Sequence, residues 1–271
     1  MPRKIIVATC QHAISGDINL NLKTIINQIT ETKRQDADIV HFAECSLSGY
    51  AGMDFLDYEE QDQKLLEAAI MQIRAEAKKN NISVLLGSHH FAQTNKKPFN
   101  SLFLINKQGE IADRYDKRLL FGMNEGKEDK YYTPGEKIVT FNMNGIKCGL
   151  LICHEWRYAE LYREHKRLGV ELIFQSFYDR NLNLNEYQQD GIHQGKLITG
   201  TLMNHSANNH LWISASNTSA KESCFASMVL QPDGRIKSKL KRNQAGVLIT
   251  EIDMDQTFED PSKYWREQFL K

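Results

Sequence analysis

The sequence predicts an α/β protein. Three observations carry this reading. Short apolar runs of strand length recur along the chain, and amphipathic helical stretches fall between the early ones. Two strong turn signals add antiparallel hairpins among the later runs.

The elements follow in order. Ile5 to Cys10 is a buried strand. Leu22, Ile25, Ile26 and Ile29 then fall at i, i+3, i+4 and i+7, the period of a helix with one apolar face. Ile39 to Phe42 is the next short run and ends near Glu44. Leu66, Ala69, Ile70, Ile73 and Ala77 mark a second helix, closed by Lys78-Lys79-Asn80-Asn81. Ile82 to Leu86 and Leu102 to Asn106 are strands, the second ending at the turn Gln108-Gly109. Ile138 to Asn142 and Ile146 to Ile152 flank Asn144-Gly145, the strongest short hairpin signal. A helix from about Ala159 stops at Gly169, which suits the position just past a helix end. Val170 to Phe174 is a strand, and a helix is expected between about Ile192 and Asn204. Leu211 to Ala215, Ser227 to Leu230 and Gly246 to Ile252 are late strands, with Pro232-Asp233-Gly234 turning one of them. No repeat, low-complexity segment or linker interrupts the 271 residues, so they read as a single domain, 1–271.

Bulk properties exclude several functions. The chain balances 34 basic against 34 acidic residues, which gives no footprint for nucleic acid or an anionic membrane. No apolar run approaches the roughly 20 residues that span a bilayer, and the run after Met1-Pro2-Arg3-Lys4 is too short for a signal-peptide core. Five cysteines, at 10, 45, 148, 153 and 224, form no CxxC pair. An odd number at irregular spacing fits reduced thiols and a cytoplasmic location. The nine histidines form neither HxH nor HExxH, and no metal or other cofactor is expected.

In open α/β sheets, ligands gather beyond the carboxyl ends of strands. Three polar residues follow strand-like runs or lie on the loops after them: Glu44, Lys117 and Cys153. Alone, each has an ordinary structural use: a capping carboxylate, a surface charge in DRYDKRLL, a small buried thiol. Together they make a reactive set. A nearby ammonium favours the thiolate, and a carboxylate can take the thiol proton and later return it to a leaving amine. A dyad of Cys153 with His154 is not expected, because adjacent strand residues face opposite ways. Asn181 to Asp190 is polar and aperiodic and reads as a surface loop near a site.

At these residues the chain resembles the nitrilase, or carbon–nitrogen hydrolase, superfamily over nearly its whole length. CQHAISGDINLNL looks like the opening strand of that family. ADIVHFAECSLSGY, RYDKRLLF and GLLICHEWRYAE resemble its three catalytic segments, in the right order. EDKYYTPG resembles the stretch with a second glutamate, and NNHLWISASN and SMVLQPDGRI its later strands. The chain departs at Ala43 and Ala159, where proline is usual, and at His205 to Asn209, where an Arg-Ala-x-Glu-Asn pattern is common.

The resemblance implies a four-layer αββα sandwich that forms a homodimer or larger homo-oligomer. It implies Glu44 as base, Cys153 as nucleophile, and Lys117 with the His154 N–H as oxyanion donors. Glu128, with Glu125 as competitor, would orient Lys117 or the substrate. The implied reaction is hydrolysis of a small amide or N-carbamoyl substrate through a thioester, releasing ammonia or an amine. Phe177, Tyr178 and Arg180, which follow the strand after the nucleophile segment, are the candidates for reading that substrate. A nitrile hydrolase and a catalytically silent scaffold are the alternatives. The first usually carries Trp-Glu directly after the cysteine, where this chain has His154.

Overall fold

The computed structural model describes residues 3–92 and 96–269. Two six-stranded sheets lie face to face. The strands, numbered in chain order, are β1 (Lys4–Gln11), β2 (Ile39–His41), β3 (Ser83–His90), β4 (Phe99–Ile105), β5 (Ile111–Asp116), β6 (Thr140–Met143), β7 (Ile146–Ile152), β8 (Leu172–Ser176), β9 (Trp212–Ser216), β10 (Met228–Leu230), β11 (Ile236–Lys239) and β12 (Gly246–Asp253). The helices are α1 (Ile18–Lys33), α2 (Gln63–Asn80), α3 (Glu128–Tyr131), α4 (Ala159–Arg167), α5 (Leu184–Glu186), α6 (Ile192–Asn209) and α7 (Lys263–Phe269). One sheet runs β12-β1-β2-β3-β4-β5 and the other β11-β10-β9-β8-β7-β6. The first half of the chain builds the first sheet and the second half the second. β12 then returns to pair with β1 along its whole length, Lys4 opposite Asp253 through Gln11 opposite Gly246.

Why the strands read as continuous apolar runs is visible in the packing. Each central strand is buried on both faces. Ile5 and Val7 of β1 point between the sheets, where they meet Leu150 and Ile152 of β7, Phe174 of β8 and Trp212 of β9. Ala8 and Cys10 of β1 point outward onto Leu22, Ile25 and Ile29 of α1 and Leu66 and Ile73 of α2. Leu151, Ile173 and Ile213 of the second sheet point outward toward Tyr162 of α4 and Ile198 and Leu202 of α6. The result is helix, sheet, sheet, helix: the expected αββα sandwich in one domain.

Local signals behave as their chemistry requires. Asp17 caps α1 by accepting from the N–H groups of Asn19 and Leu20, and Asp62 caps α2 through Leu65 N–H. Asn144 and Gly145 have φ of 51° and 74°, the paired left-handed residues of a tight hairpin turn between β6 and β7. Among the described residues no helix is long and apolar enough to cross a membrane.

Several elements differ from the sequence expectation. The edge strand β11 and the short α3 were not anticipated, nor were the following. β5 is an added edge strand, polar in sequence because only Tyr115 is fully buried in it. The C-terminal α7 was not anticipated. The 181–190 stretch is not a loop throughout: Leu184–Glu186 is helical and Tyr187–Gly191 winds as a π turn into α6. Asn183 caps it by accepting from Glu186 N–H at 3.0 Å.

Candidate active site

Four strands deliver residues to one end of the sandwich. Glu44 follows β2 and Lys117 follows β5, both in the first sheet; Cys153 follows β7 and Tyr178 follows β8, both in the second. β2 runs parallel to β3, β5 points the same way through two antiparallel pairings, and β7 runs parallel to β8. All four positions are therefore at carboxyl ends.

The backbone turns sharply at two of them. Cys153 has φ of +40° and Cys45, after Glu44, has +51°. Positive φ is uncommon for a side-chain-bearing residue, and such strain collects at functional sites. The Ala43–Cys45 turn rests on β3 at Gly87, where a Cβ would lie 2.1 Å from the Ala43 carbonyl oxygen. Only glycine admits that approach.

Lys117 is the centre of the polar cluster. Its Nζ donates to Glu44 Oε1 at 2.8 Å and to Glu128 Oε1 at 2.7 Å. All three side chains are at most 2% exposed. Asn100 Nδ2 also donates to Glu44 Oε1, at 2.7 Å, and Tyr178 N–H donates to Glu44 Oε2 at 2.9 Å. Tyr50 O–H donates to Glu128 Oε1 at 2.6 Å and Phe121 N–H to Glu128 Oε2 at 2.5 Å. Glu125, the competitor for the second glutamate, is exposed, whereas Glu128 is buried on Lys117.

The electrostatics follow from this packing. Burial works against the Lys117 charge, but Glu128 and Glu44 outweigh it, and the ammonium is held well above the usual lysine range. Burial raises the Glu44 carboxyl, Lys117 pulls it down and Glu128 pushes it up; the balance is a raised carboxyl. Burial and then Glu44 push the Cys153 thiol well above its ordinary value, against the pull of Lys117. Burial and Glu44 thus favour the protonated sulfur, against what the Lys117 charge alone would favour. His154 is pushed down to about 4 by burial and by Lys117, and is neutral at pH 7.

Cys153 opens on a cavity of about 530 Å³ lined also by Tyr50, Lys117, His154, Trp156, Arg157, Tyr178, Asp179, Arg180 and Gln194. Tyr178 stacks on Tyr50 with ring centroids 4.8 Å apart, and its O–H donates to Asp54 Oδ1 at 2.7 Å. Arg180 lies 4.0 Å from the same oxygen. Phe177 is placed elsewhere. It lines no part of this cavity; its side chain is fully buried and its ring meets Phe225 edge-on at 5.0 Å. The expectation that it reads substrate is corrected by strand alternation, which turns Phe177 to the helix layer. His205, in the departing stretch, is not at the cavity either: its Nε2 bonds the Trp156 carbonyl at 3.0 Å beneath the nucleophile turn.

Sequence reasoning missed Tyr50, Asn100, Arg157, Asp179 and Gln194. Asp179 is half-buried, and burial raises its carboxyl. As chemistry, the arrangement offers a protonated thiol, a carboxylate with a raised proton affinity, and an ammonium whose third N–H is left over from its two carboxylate bonds.

Comparisons with known proteins bear on the fold and the family. A family model described as carbon-nitrogen hydrolase matches residues 6–261. The 2-oxoglutaramate amidase of Bacillus subtilis is 24% identical over 233 residues, covering 84% of this chain and 83% of the relative. The (R)-stereoselective amidase of Pseudomonas sp. is 28% identical, covering 89% and 82%. The glutamine-dependent NAD(+) synthetase of Acinetobacter baylyi is 26% identical over 89% of this chain, which spans only 42% of that relative's length. Among solved structures, a cysteine-to-alanine variant of the amidase from Nesterenkonia sp. AN1 in complex with butyramide superposes with a TM-score of 0.77 at 20% identity, over 94% of this chain and 92% of that one.

Proposed function

This chain belongs to the carbon–nitrogen hydrolase family, and from that premise we propose that it hydrolyses a small non-peptide amide or N-carbamoyl compound through a thioester on Cys153. One observation carries the reading: an ammonium, Lys117, bridges two buried carboxylates at 2.8 and 2.7 Å on the cavity that Cys153 lines.

Glu44 takes the Cys153 proton, through the oxygen that bonds only Tyr178 N–H. The raised Glu44 carboxyl and the raised thiol make this transfer necessary and Glu44 a competent acceptor. The sulfur attacks the carbonyl carbon. Lys117 turns its remaining N–H to the oxyanion, with the backbone N–H of His154 as the second donor. Ammonia or an amine leaves with the proton from Glu44. Water, deprotonated by Glu44, attacks the thioester, and the acid leaves as Cys153 regains its proton. Glu128 holds Lys117 on its far side, itself fixed by Tyr50 and the Phe121 N–H.

The substrate class rests on the cavity wall. Tyr50, Tyr178 and Trp156 offer flat apolar surface, and Arg157 and Arg180 offer positive charge suited to an anionic group. Relatives named as amidases support an amide over a nitrile. For assembly we infer a homodimer or larger homo-oligomer. Tyr264, Trp265 and Phe269 on α7 are 64, 62 and 74% exposed, which supports a covered face. Light scattering at micromolar concentration tests it.

The deciding experiment is an ammonia-release screen across linear ω-amides, N-carbamoyl amines and simple nitriles, with Cys153→Ala as control. Turnover of an amide or carbamoyl compound that vanishes in the control is expected. An alanine variant that still turns over would sink the mechanism.

A further inference from the structure

Glu155 is a fully buried carboxylate that the proposed reaction does not use. Among the described residues, no lysine or arginine forms an ion pair with it. Four donors converge on it instead. Oε1 accepts from Tyr115 O–H at 2.7 Å, from Arg118 N–H at 2.9 Å and from Leu119 N–H at 3.2 Å. Oε2 accepts from Ile152 N–H at 2.7 Å.

The identities of those donors matter. Arg118 and Leu119 are the two residues after Lys117, and Ile152 is the residue before Cys153. β5 and β7 belong to different sheets, so no strand pairing ties Lys117 to Cys153. One side chain does: its two oxygens hold the backbone on either side of the gap. Three backbone N–H groups that no carbonyl accepts find their acceptor there. An ionised carboxylate makes short, directional bonds of this kind, and burying one without a cation is costly. Burial raises the Glu155 carboxyl, while the Ile152 N–H and the Tyr115 O–H pull it back.

We propose that Glu155 is the positioning residue that sets the distance between the Lys117 ammonium and the Cys153 sulfur, by bridging the backbones that carry them across the two sheets. The inference rests on the reading that these two residues act together. Glu155 touches neither substrate nor the reacting atoms; its effect is on the geometry in which the oxyanion meets Lys117.

Glu155→Gln tests it in the full chain. Glutamine keeps the shape. With its carbonyl toward Tyr115, Arg118 and Leu119, its NH₂ must face the Ile152 N–H, donor against donor. The loop before Cys153 is then released from the loop after Lys117. A displacement of the order of 1 Å costs about 100-fold in turnover. The expected result is a folded variant whose kcat, per Cys153 thiol titrated with iodoacetamide, falls by about 100-fold while KM stays within about twofold. A kcat per titrated thiol within about threefold of the parent, or a loss confined to KM, would overturn the proposal and leave Glu155 as a prop for the fold. Should Glu155→Gln fail to fold, Tyr115→Phe removes one donor and leaves the three backbone bonds. Its kcat per thiol should fall by about fivefold at constant KM, and no change overturns the proposal. The parent and Cys153→Ala run alongside. An active parent and a dead Cys153→Ala beside a normal Glu155→Gln reject only the positioning role; an inactive parent or an active Cys153→Ala rejects the reading of the site beneath it.

Discussion

Replacing Lys117 by methionine keeps an unbranched apolar stem, one heavy atom shorter, and removes the ammonium with its charge and its N–H donors. Two losses follow. The first is the oxyanion donor, worth about 3 kcal/mol in the transition state. The second comes from what the ammonium separates. Glu44 Oε1 and Glu128 Oε1 both lie on Lys117 Nζ, at 2.8 and 2.7 Å, so the two oxygens are no more than about 5.5 Å apart. With the ammonium gone, two buried carboxylates face each other at that range. Their repulsion at an effective dielectric of about 20 is about 3 kcal/mol, or roughly 2 pKa units. One proton will be held between them, and Glu44 is then a poorer base. Turnover of an ω-amide at pH 7 should fall by about 1,000-fold, and the acid limb of kcat/KM should move up by about 2 units. The assay is ammonia release from pH 5 to 9, with circular dichroism to establish that the variant is folded. A folded Lys117→Met within about tenfold of the parent at pH 7, its acid limb unmoved, would refute the reasoning.

Three further outcomes are expected. Cys153 should be alkylated before the other cysteines by a small neutral reagent, because Cys10, Cys45 and Cys148 are fully buried and Cys224 is 7% exposed; the rate should climb steeply above pH 7, as a raised thiol requires, and label appearing first at Cys224 with activity intact would contradict the site. Linear amides or N-carbamoyl amines should outrun nitriles in a common ammonia assay, and a nitrile that beats every amide reverses this order. Acid should destabilise the fold well above the pH at which surface carboxylates titrate. His12, His41 and His89 are held neutral by burial down to about 4, 3 and 3, whereas the unfolded chain protonates them near pH 6.5. Each costs on the order of 2 kcal/mol between pH 7 and 5, three imidazoles against the opposite effect of the two raised carboxyls of Glu44 and Glu155. Urea midpoints should therefore drop over that interval, and a flat profile would mean that these imidazoles are not buried neutral.

What could be read beforehand follows from geometry. A strand buried on both faces advertises itself as an apolar run, so β1, β2, β3, β7 and β8 were visible, and with them Glu44 after β2 and Cys153 after β7. Asn100 was not visible, although it holds Glu44 as closely as Lys117 does. β4 is antiparallel, so it is the start of that strand, not its end, that lies at the site. β5 escaped because it is an edge strand whose outer residues are wet. Glu155 sat in plain view two residues after Cys153, but its role depends on donors 36 to 40 residues away in the chain. Spacing along a sequence cannot report a bond that closes between sheets. The π turn before α6 did leave a mark, the Asn183–Glu186 capping pair, which the polarity of the stretch concealed.

The division of labour between the sheets has a consequence for the chain's life before it is finished. Synthesis completes β2 through β5, with Glu44 and Lys117, before the ribosome reaches Cys153, and β12 comes last of all to close against β1. A nascent or half-folded molecule can therefore own every residue of the reaction without being able to perform it. Its thiol, with no acceptor for the proton, stays as inert as any free cysteine below its pKa. On the proposed mechanism, competence appears only when the two halves dock, so hydrolytic turnover would report not merely that the chain is present but that its two sheets have met.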